Sequence, residues 1–465
     1  VWFREDLRLG DNPALRAAAR TGLPLLCVYF YNELGEGGRP IGAAARWRLD
    51  RALAALEADL ARMGGRLHVL RGAPEALLPA LAEASGATHL FWNRRYGAER
   101  EIDAQLKRGL REQGRHVENF NSALLVEPWE IAPQAGGYYK VFTPFWRAVR
   151  DRLPAADPAP APERLSFADG QAGAMEVGRE ALALSPSRPD WARDFPDPEA
   201  GEAGALQRLR NFIDEKLDGY ETMRDRLDGD GASKLSGHLH CGEISPRQIV
   251  AALRGRLAEK FLIELCWREF SNHLLYARPD LPWKAFNPRF ERFPYLSDPQ
   301  GFEAWKRGRT GYPAVDAAMR QLWREGFTSN RCRMIAASFL VKHLLIDWRE
   351  GEAWFWDTLV DADAANNAFS WQWIAGGGAD AAPYFRIFNP VLQGDKFDPE
   401  GAFVRRYCPE LARLPARYIH RPWSAPPEIL ERAGVVLGGD WPRPIVDHDF
   451  ARRRALEAFG SIAAA

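Results

Sequence analysis

PLLCVYFY (24–31), AARWRLDRALAALEADLARMG (44–64), RLHVL (66–70) and THLFW (88–92) decide the fold of the first part of the chain. The three short runs are mostly apolar and read as buried strands. The longer stretch between the first two has helical spacing, with charge on one face. Strand–helix alternation of this kind predicts a parallel α/β sheet with right-handed crossovers. No G-x-G-x-x-G follows the first strand, so the pattern is Rossmann-like without the dinucleotide fingerprint.

Outward from that region the composition changes. PAADPAPAPERL and SPSRPDWARDFPDPEA, within about 154–200, are rich in Pro, Ala and charge and predict an extended connector over the surface. Beyond about residue 203 the pattern is helical: 205–217, 245–255, 260–276, 312–326 and 330–348 each read as a helix. From about Asp395 the chain is less regular. The expected layout is an α/β domain over 1–125, a connector over 126–202 and a helical domain over 203–465.

The bulk numbers set limits. The 465 residues exceed one ordinary core, and 46% hydrophobic with 27% charged residues fits a globular protein. No apolar run approaches the roughly 18 residues of a membrane span. The chain opens at Val1, already inside a strand-like run, so its first residues are expected to be missing. Five scattered cysteines without a C-x-x-C pair suggest neither a disulfide framework nor a metal site. Lys and Arg balance Asp and Glu at 62 each. A net charge of zero counts against a nucleic-acid binder, yet leaves room for a local basic groove.

Of the 17 tryptophans, a cluster runs from Trp267 to Trp373. The plain reading is a large helical core; the sharper one is a set of faces for bases or flavins. GASKLSGHLHCGEISP (231–246) offers hydroxyls and amides before a helix, suited to a phosphate but also to an ordinary turn and cap. In ELCW (264–267), Glu264 and Trp267 share a helical face. In NRCRM (330–334), so do Asn330, Arg333 and Met334. DADAANNAFSWQWIAGGGADAAPYFRIFNP (361–390) is denser in carboxylate, amide and aromatic groups than a plain loop needs. Its Asp and Asn groups could address the polar edge of an isoalloxazine, the usual lever on flavin electronics.

Together with FREDLRLGDNPAL (3–15), YKVFTPFW (139–146), ELCWREF (264–270), GRTGYPAVDAAMRQL (308–322) and NRCRMIAASFLVKHLLIDWREGE (330–352), these segments resemble the photolyase/cryptochrome family. The likeness extends over nearly the whole chain, in order, and is strongest to microbial cyclobutane pyrimidine dimer photolyases. It implies FAD, reduced when active, held by Tyr220, Ser233, Leu235, Ser236, Arg333, Asp361, Asp363 and Asn367. Arg333 and Asp361 match an ion pair beside the flavin. Asn367 matches the residue facing flavin N5, where a neutral amide suits repair and an aspartate suits signalling. One hydroxyl common in the family is lacking at Ala232.

The lesion pocket implied is Glu264, Trp267, Asn330, Met334 and Trp373. Histidines expected at the Asn330 and Met334 positions for (6-4) photoproduct repair are absent. Trp371 and Trp348 match the first two members of an electron-transfer chain. Tyr295 stands where a third Trp is usual, and Trp305 is a candidate bypass. Other departures are Ser329, where a His is common, and GHLHC (237–241). WNRRYGAERE (92–101) resembles an antenna region, with Glu99 the candidate contact and methenyltetrahydrofolate preferred to a deazaflavin.

The implied activity is light-driven repair of UV-damaged DNA, the lesion flipped out of the stack and the flanking strand held by salt-sensitive phosphate contacts. A monomer in the bacterial cytoplasm, with the nucleoid, needing no membrane and no obligate protein partner, is expected. The alternatives are a cryptochrome-like photoreceptor, a cryptochrome-DASH-type single-strand photolyase, and an electron-transfer flavoprotein subunit.

Overall fold

A computed structural model of the chain describes residues 1–34, 38–168, 172–381 and 385–463. By contact the chain divides into two compact units. The first comprises 1–218, 233–279 and 360–365, and the second 219–232, 280–359 and 366–465. These limits interleave along the chain and do not follow its linear order.

In the first unit, β1 (Trp2–Phe3), β2 (Cys27–Tyr31), β3 (Leu67–Arg71), β4 (His89–Asn93) and β5 (His116–Phe120) form one parallel sheet in the order β3-β2-β1-β4-β5. Alternate residues of β2 enter two cores. Cys27, Tyr29 and Tyr31 pack with Leu15, Leu53 and Leu56 on one face; Val28 and Phe30 pack with Leu78, Leu81 and Leu106 on the other. Helices therefore cover both faces, which is why PLLCVYFY is apolar throughout. β5 (HVENF) is a polar edge strand, and a search for apolar runs passes over it.

The connector is tied down more than its composition suggests. Leu25 N donates to Ser166 O (2.8 Å) and Val177 N to Val69 O (2.9 Å). Leu182 and Leu184 enter the sheet core. In the same unit, helix Glu259–Ala277 is the longest in the helical part. Its buried Glu269 accepts from Leu125 N at 2.8 Å.

The second unit is helical, and it corrects one expectation. The stretch 330–348 is not a single helix. An α-helix over Asn330–Ser338 passes into a π-helical turn over Phe339–His343. Leu345 then takes a left-handed conformation (φ 56°), and Asp347 caps a new helix, Trp348–Thr358, by accepting from Arg349 N. The apolar spacing carries through this break because Phe339, Leu340, Val341, Leu344, Leu345 and Ile346 are all buried. A run buried on every side hides a change of helix axis. The irregular tail likewise ends in a regular helix, His448–Ala463.

All five cysteines are buried and free. Among the described residues, no helix is long and apolar enough to cross a membrane.

Candidate active site

In the first unit, Glu264 and Trp267 sit one turn apart on helix Glu259–Ala277, both half-buried. Lys260, one turn earlier, holds the Glu264 carboxylate at 3.1 Å. Trp267 has a partner that sequence reasoning missed. The ring of Phe142 lies parallel to the indole, with centroids 3.7 Å apart at 8°. Phe270 closes the group edge-on, 5.9 Å from each. The result is an indole fixed in plane by stacking, the geometry wanted of a platform for a flat base. Phe142 lies in YKVFTPFW, so its segment was noticed while its contact was not.

The segment expected at the cofactor phosphates bends sharply. Lys234 has a positive φ of 53°, and Ser233 Oγ accepts from Leu235 N at 3.4 Å. Leu235 is buried, and Ser236 is exposed at the start of helix Ser236–Cys241. The departure GHLHC has a structural partner: His238 and Glu243 are bonded to each other (2.6 Å) and to Arg48, a buried triad under that helix. Asp361 is buried and Asp363 half-buried. In the same unit, Glu99 is buried as the first residue of helix Glu99–Glu112. A Cβ on Gly97 would stand 2.6 Å from its Oε2, so the glycine leaves the space the carboxylate occupies.

In the second unit, Ser329 Oγ caps helix Asn330–Ser338 by accepting from Cys332 N at 3.4 Å. That accounts locally for the residue in place of the usual His. Asn330 Nδ2 approaches Met334 Sδ at 3.7 Å, so the two share a face as the i, i+4 spacing requires. Arg333 Nε donates to Thr328 O at 2.9 Å. Tyr220 is buried, with the Arg224 guanidinium 5.6 Å from its ring.

Helix Ala364–Ala375 carries Asn367, Trp371 and Trp373. The buried Asn367 donates from Nδ2 to Glu352 O (3.0 Å) and Glu352 Oε1 (2.7 Å). Both partners are acceptors, so they fix which end of the amide is nitrogen. The Asn367 oxygen is left to accept. Glu352, itself buried, went unnoticed in the sequence although it ends the quoted WREGE.

Trp371 is buried with no partner for its Nε1 among the described residues. Its indole meets Phe355 edge-on at 4.9 Å and Trp305 at 6.2 Å. A Cβ on Gly351 would lie 2.2 Å from Trp371 Cη2, so only glycine admits the indole there. Trp305 is fully buried and donates to Ala336 O at 2.9 Å. Trp348 is buried beside Arg349, whose guanidinium lies 4.7 Å from its ring. Tyr295 packs on Phe293 at 4.8 Å, and burial pushes its phenol pKa up. Trp373 Nε1 donates to Asp380 O at 3.0 Å, which anchors the indole to the turn after Gly376–Gly378. Ala382, Pro383 and Tyr384 of the same segment lie outside the described residues.

Thus Glu264 joins Trp267, Asn330 joins Met334, and Trp371 joins Trp305. Ser233, Leu235, Ser236, Asp361 and Asp363 belong to the first unit, and Tyr220, Arg333 and Asn367 to the second.

Known proteins resemble this chain over nearly its whole length. Residues 1–163 match the family described as DNA photolyase, and residues 261–461 match the FAD binding domain of DNA photolyase. A deoxyribodipyrimidine photo-lyase of Agrobacterium fabrum is 48% identical over 99% of this chain and 97% of its own length. Cryptochrome-2 of Arabidopsis thaliana is 37% identical over 98% of this chain and 78% of its own. The crystal structure of a bacterial class III photolyase from Agrobacterium tumefaciens superimposes with a TM-score of 0.95 at 47% identity, covering 100% of this chain and 97% of that one. The chain belongs to the DNA photolyase family.

Proposed function

We propose that this protein is a deoxyribodipyrimidine photo-lyase that repairs cyclobutane pyrimidine dimers in UV-damaged DNA under blue light. The observation that carries the reading is the amide of Asn367, oriented by Glu352 so that its oxygen accepts and its nitrogen is committed. A group so held can accept from flavin N5–H and has no proton to give, which favours repair over a photoreceptor. That distinction matters because a plant cryptochrome is among the close relatives.

The residues fit FAD. The second unit offers a fixed acceptor amide at Asn367 and the buried Tyr220, and the first offers the buried Asp361 and the hydroxyls of Ser233 and Ser236, polar groups of the kinds a flavin ring and its phosphates need. Tyr220, Ser233, Leu235, Ser236, Arg333, Asp361, Asp363 and Asn367 would hold the cofactor. When bound, reduced and excited by light, it would supply the electron that opens the cyclobutane ring and take it back afterwards.

The chain's own groups bind and orient. Trp267, backed by Phe142, offers a π face to one pyrimidine, with stacking of this kind contributing about 1–3 kcal/mol per base. Glu264 hydrogen-bonds the pyrimidine edge; Asn330, Met334 and Trp373 are the further lesion contacts on this reading. Flipping costs a few kcal/mol, less for damaged bases, and photolyases are among the established examples of it. Trp371 passes electrons from Trp348 or Trp305. The 6.2 Å separation of Trp371 and Trp305 supports the second outlet. Tyr295, if used, must lose its proton on oxidation, since burial keeps the phenol protonated.

We assign 1–125 to the antenna domain, 126–202 to the connector and 203–465 to the catalytic domain. Glu99 contacts an antenna of the folate type. The protein acts as a monomer in the bacterial cytoplasm, with the nucleoid.

The test is repair of an oligothymidylate containing cyclobutane dimers by the reduced, FAD-loaded protein, in blue light and in darkness. Absorbance returns as thymine reforms, only in light, and is lost in Glu264→Ala and Trp267→Ala. No recovery from fully reduced protein overturns the reading.

A further inference from the structure

Helices Pro299–Lys306, Pro313–Glu325 and Trp348–Thr358 of the second unit enclose a cavity of about 460 Å³ that none of the expected residues lines. It is within the roughly 300–1,000 Å³ range of small-molecule sites. Two indoles form one wall. Trp323 and Trp354 lie parallel, 3° apart in plane, with centroids at 6.0 Å. Trp323 is 52% exposed, an unusual place for the largest apolar side chain. The Lys306 ammonium sits 5.0 Å from the Trp354 ring and steadies that wall by a cation–π contact.

The remaining wall carries Lys306, Arg307, Arg320 and Arg324 with one carboxylate, Glu303, which also binds Arg307, and its charges are not equivalent. Lys306 is paired with Glu303 at 2.7 Å. Arg320 is paired with both oxygens of Glu410 at 2.9 Å. Arg324 is exposed and makes no hydrogen bond or ion pair among the described residues. The cavity thus presents an open π face beside one uncommitted guanidinium. A flat ring satisfies the first and a phosphate the second, since guanidinium binds phosphate through paired N–H donors.

We propose that this cavity binds an aromatic nucleotide, its ring on Trp323 and its phosphate on Arg324. A passing DNA strand is the less suitable occupant: tracking a strand calls for a row of cations along a groove, and here only Arg324 is uncommitted. The proposal is independent of the repair reading, because no residue assigned to repair lines the cavity.

Isothermal titration of the FAD-loaded full chain with AMP, inorganic phosphate and a short oligothymidylate tests it. AMP binds, and Trp323→Leu and Arg324→Glu each weaken it about 5-fold or more, the loss of a stacking contact of about 1 kcal/mol or greater. Both variants keep light-driven repair, which separates failure of the site from failure of the fold. Arg324→Glu alters only an exposed side chain, so the test survives if Trp323→Leu misfolds. Absence of AMP binding overturns the proposal. So does phosphate binding as tightly as AMP, or oligothymidylate binding more tightly than AMP with loss in the same variants.

Discussion

Helix Glu259–Ala277 and helix Ala364–Ala375 each carry an indole expected at the active site, and the two are built differently. Trp267 is half-buried, stacked flat on Phe142 and met edge-on by Phe270. Trp371 is buried against Phe355 and Trp305, with Gly351 cleared to receive it. The first arrangement keeps a flat face near the surface; the second removes an indole from water and lines it up with other rings. On the proposed reading, one residue type serves as a platform or as a carrier according to its enclosure.

A buried glutamate accompanies each. Glu352 is satisfied by the Asn367 amide. Glu269 accepts from Leu125 N, but its Oε1 lacks a hydrogen bond and Arg268 stands 3.7 Å away. Burial is the main cause that pushes the Glu269 carboxyl up to about 7, only partly opposed by Arg268 and two backbone amides.

The sharpest way to break the comparison is to remove the carrier. Trp371→Phe should abolish light-driven reduction of oxidised flavin while leaving lesion affinity intact, measured by absorbance under illumination and by titration with damaged oligonucleotide. If lesion affinity falls as far as photoreduction, the two indoles are not separate in function.

Next in size is the pH effect of Glu269. Its folded-state pKa is raised, so between about pH 4.5 and 7 the native state holds a proton that the unfolded chain has released. Stability from this group is present at low pH and is lost as pH rises through that window. Glu269→Gln should therefore reduce the fall in stability between pH 5 and pH 8 by up to about 3 kcal/mol, read from denaturant midpoints.

Trp267→Ala should weaken lesion binding by about 1–3 kcal/mol and leave photoreduction unchanged. The smallest effect tests the support beneath the platform. Phe142→Leu should cost about 0.5–1.5 kcal/mol in lesion affinity, the scale of one aromatic pair, and Phe142→Tyr should restore it. Equal affinity in Phe142→Leu and the parent would mean that the stack does not position Trp267.

Much of this was legible in the chain. The strands at 24–31, 66–70 and 88–92 and the helices around them follow from apolar periodicity, since a buried face must repeat with the period of its element. The pairs Glu264–Trp267 and Asn330–Met334 follow from helical spacing alone. The break at 339–347 was illegible because a uniformly buried segment has no polar face to show where the axis turns. Phe142 and Glu352 were illegible as well. Each stands in a quoted segment, yet its partner lies on another element.

The sequence by itself determined the local order of strands and helices, the groups proposed to meet a flavin and a pyrimidine dimer, and the neutral amide at Asn367. Only the tertiary structure decided that Phe142 lies flat on Trp267, that Glu352 fixes the direction of that amide, and that Trp305 meets Trp371. The reason is physical. Periodicity records which face of an element is buried, whereas ring stacking and buried hydrogen bonds depend on positions to within an ångström, and these exist only once the elements have packed.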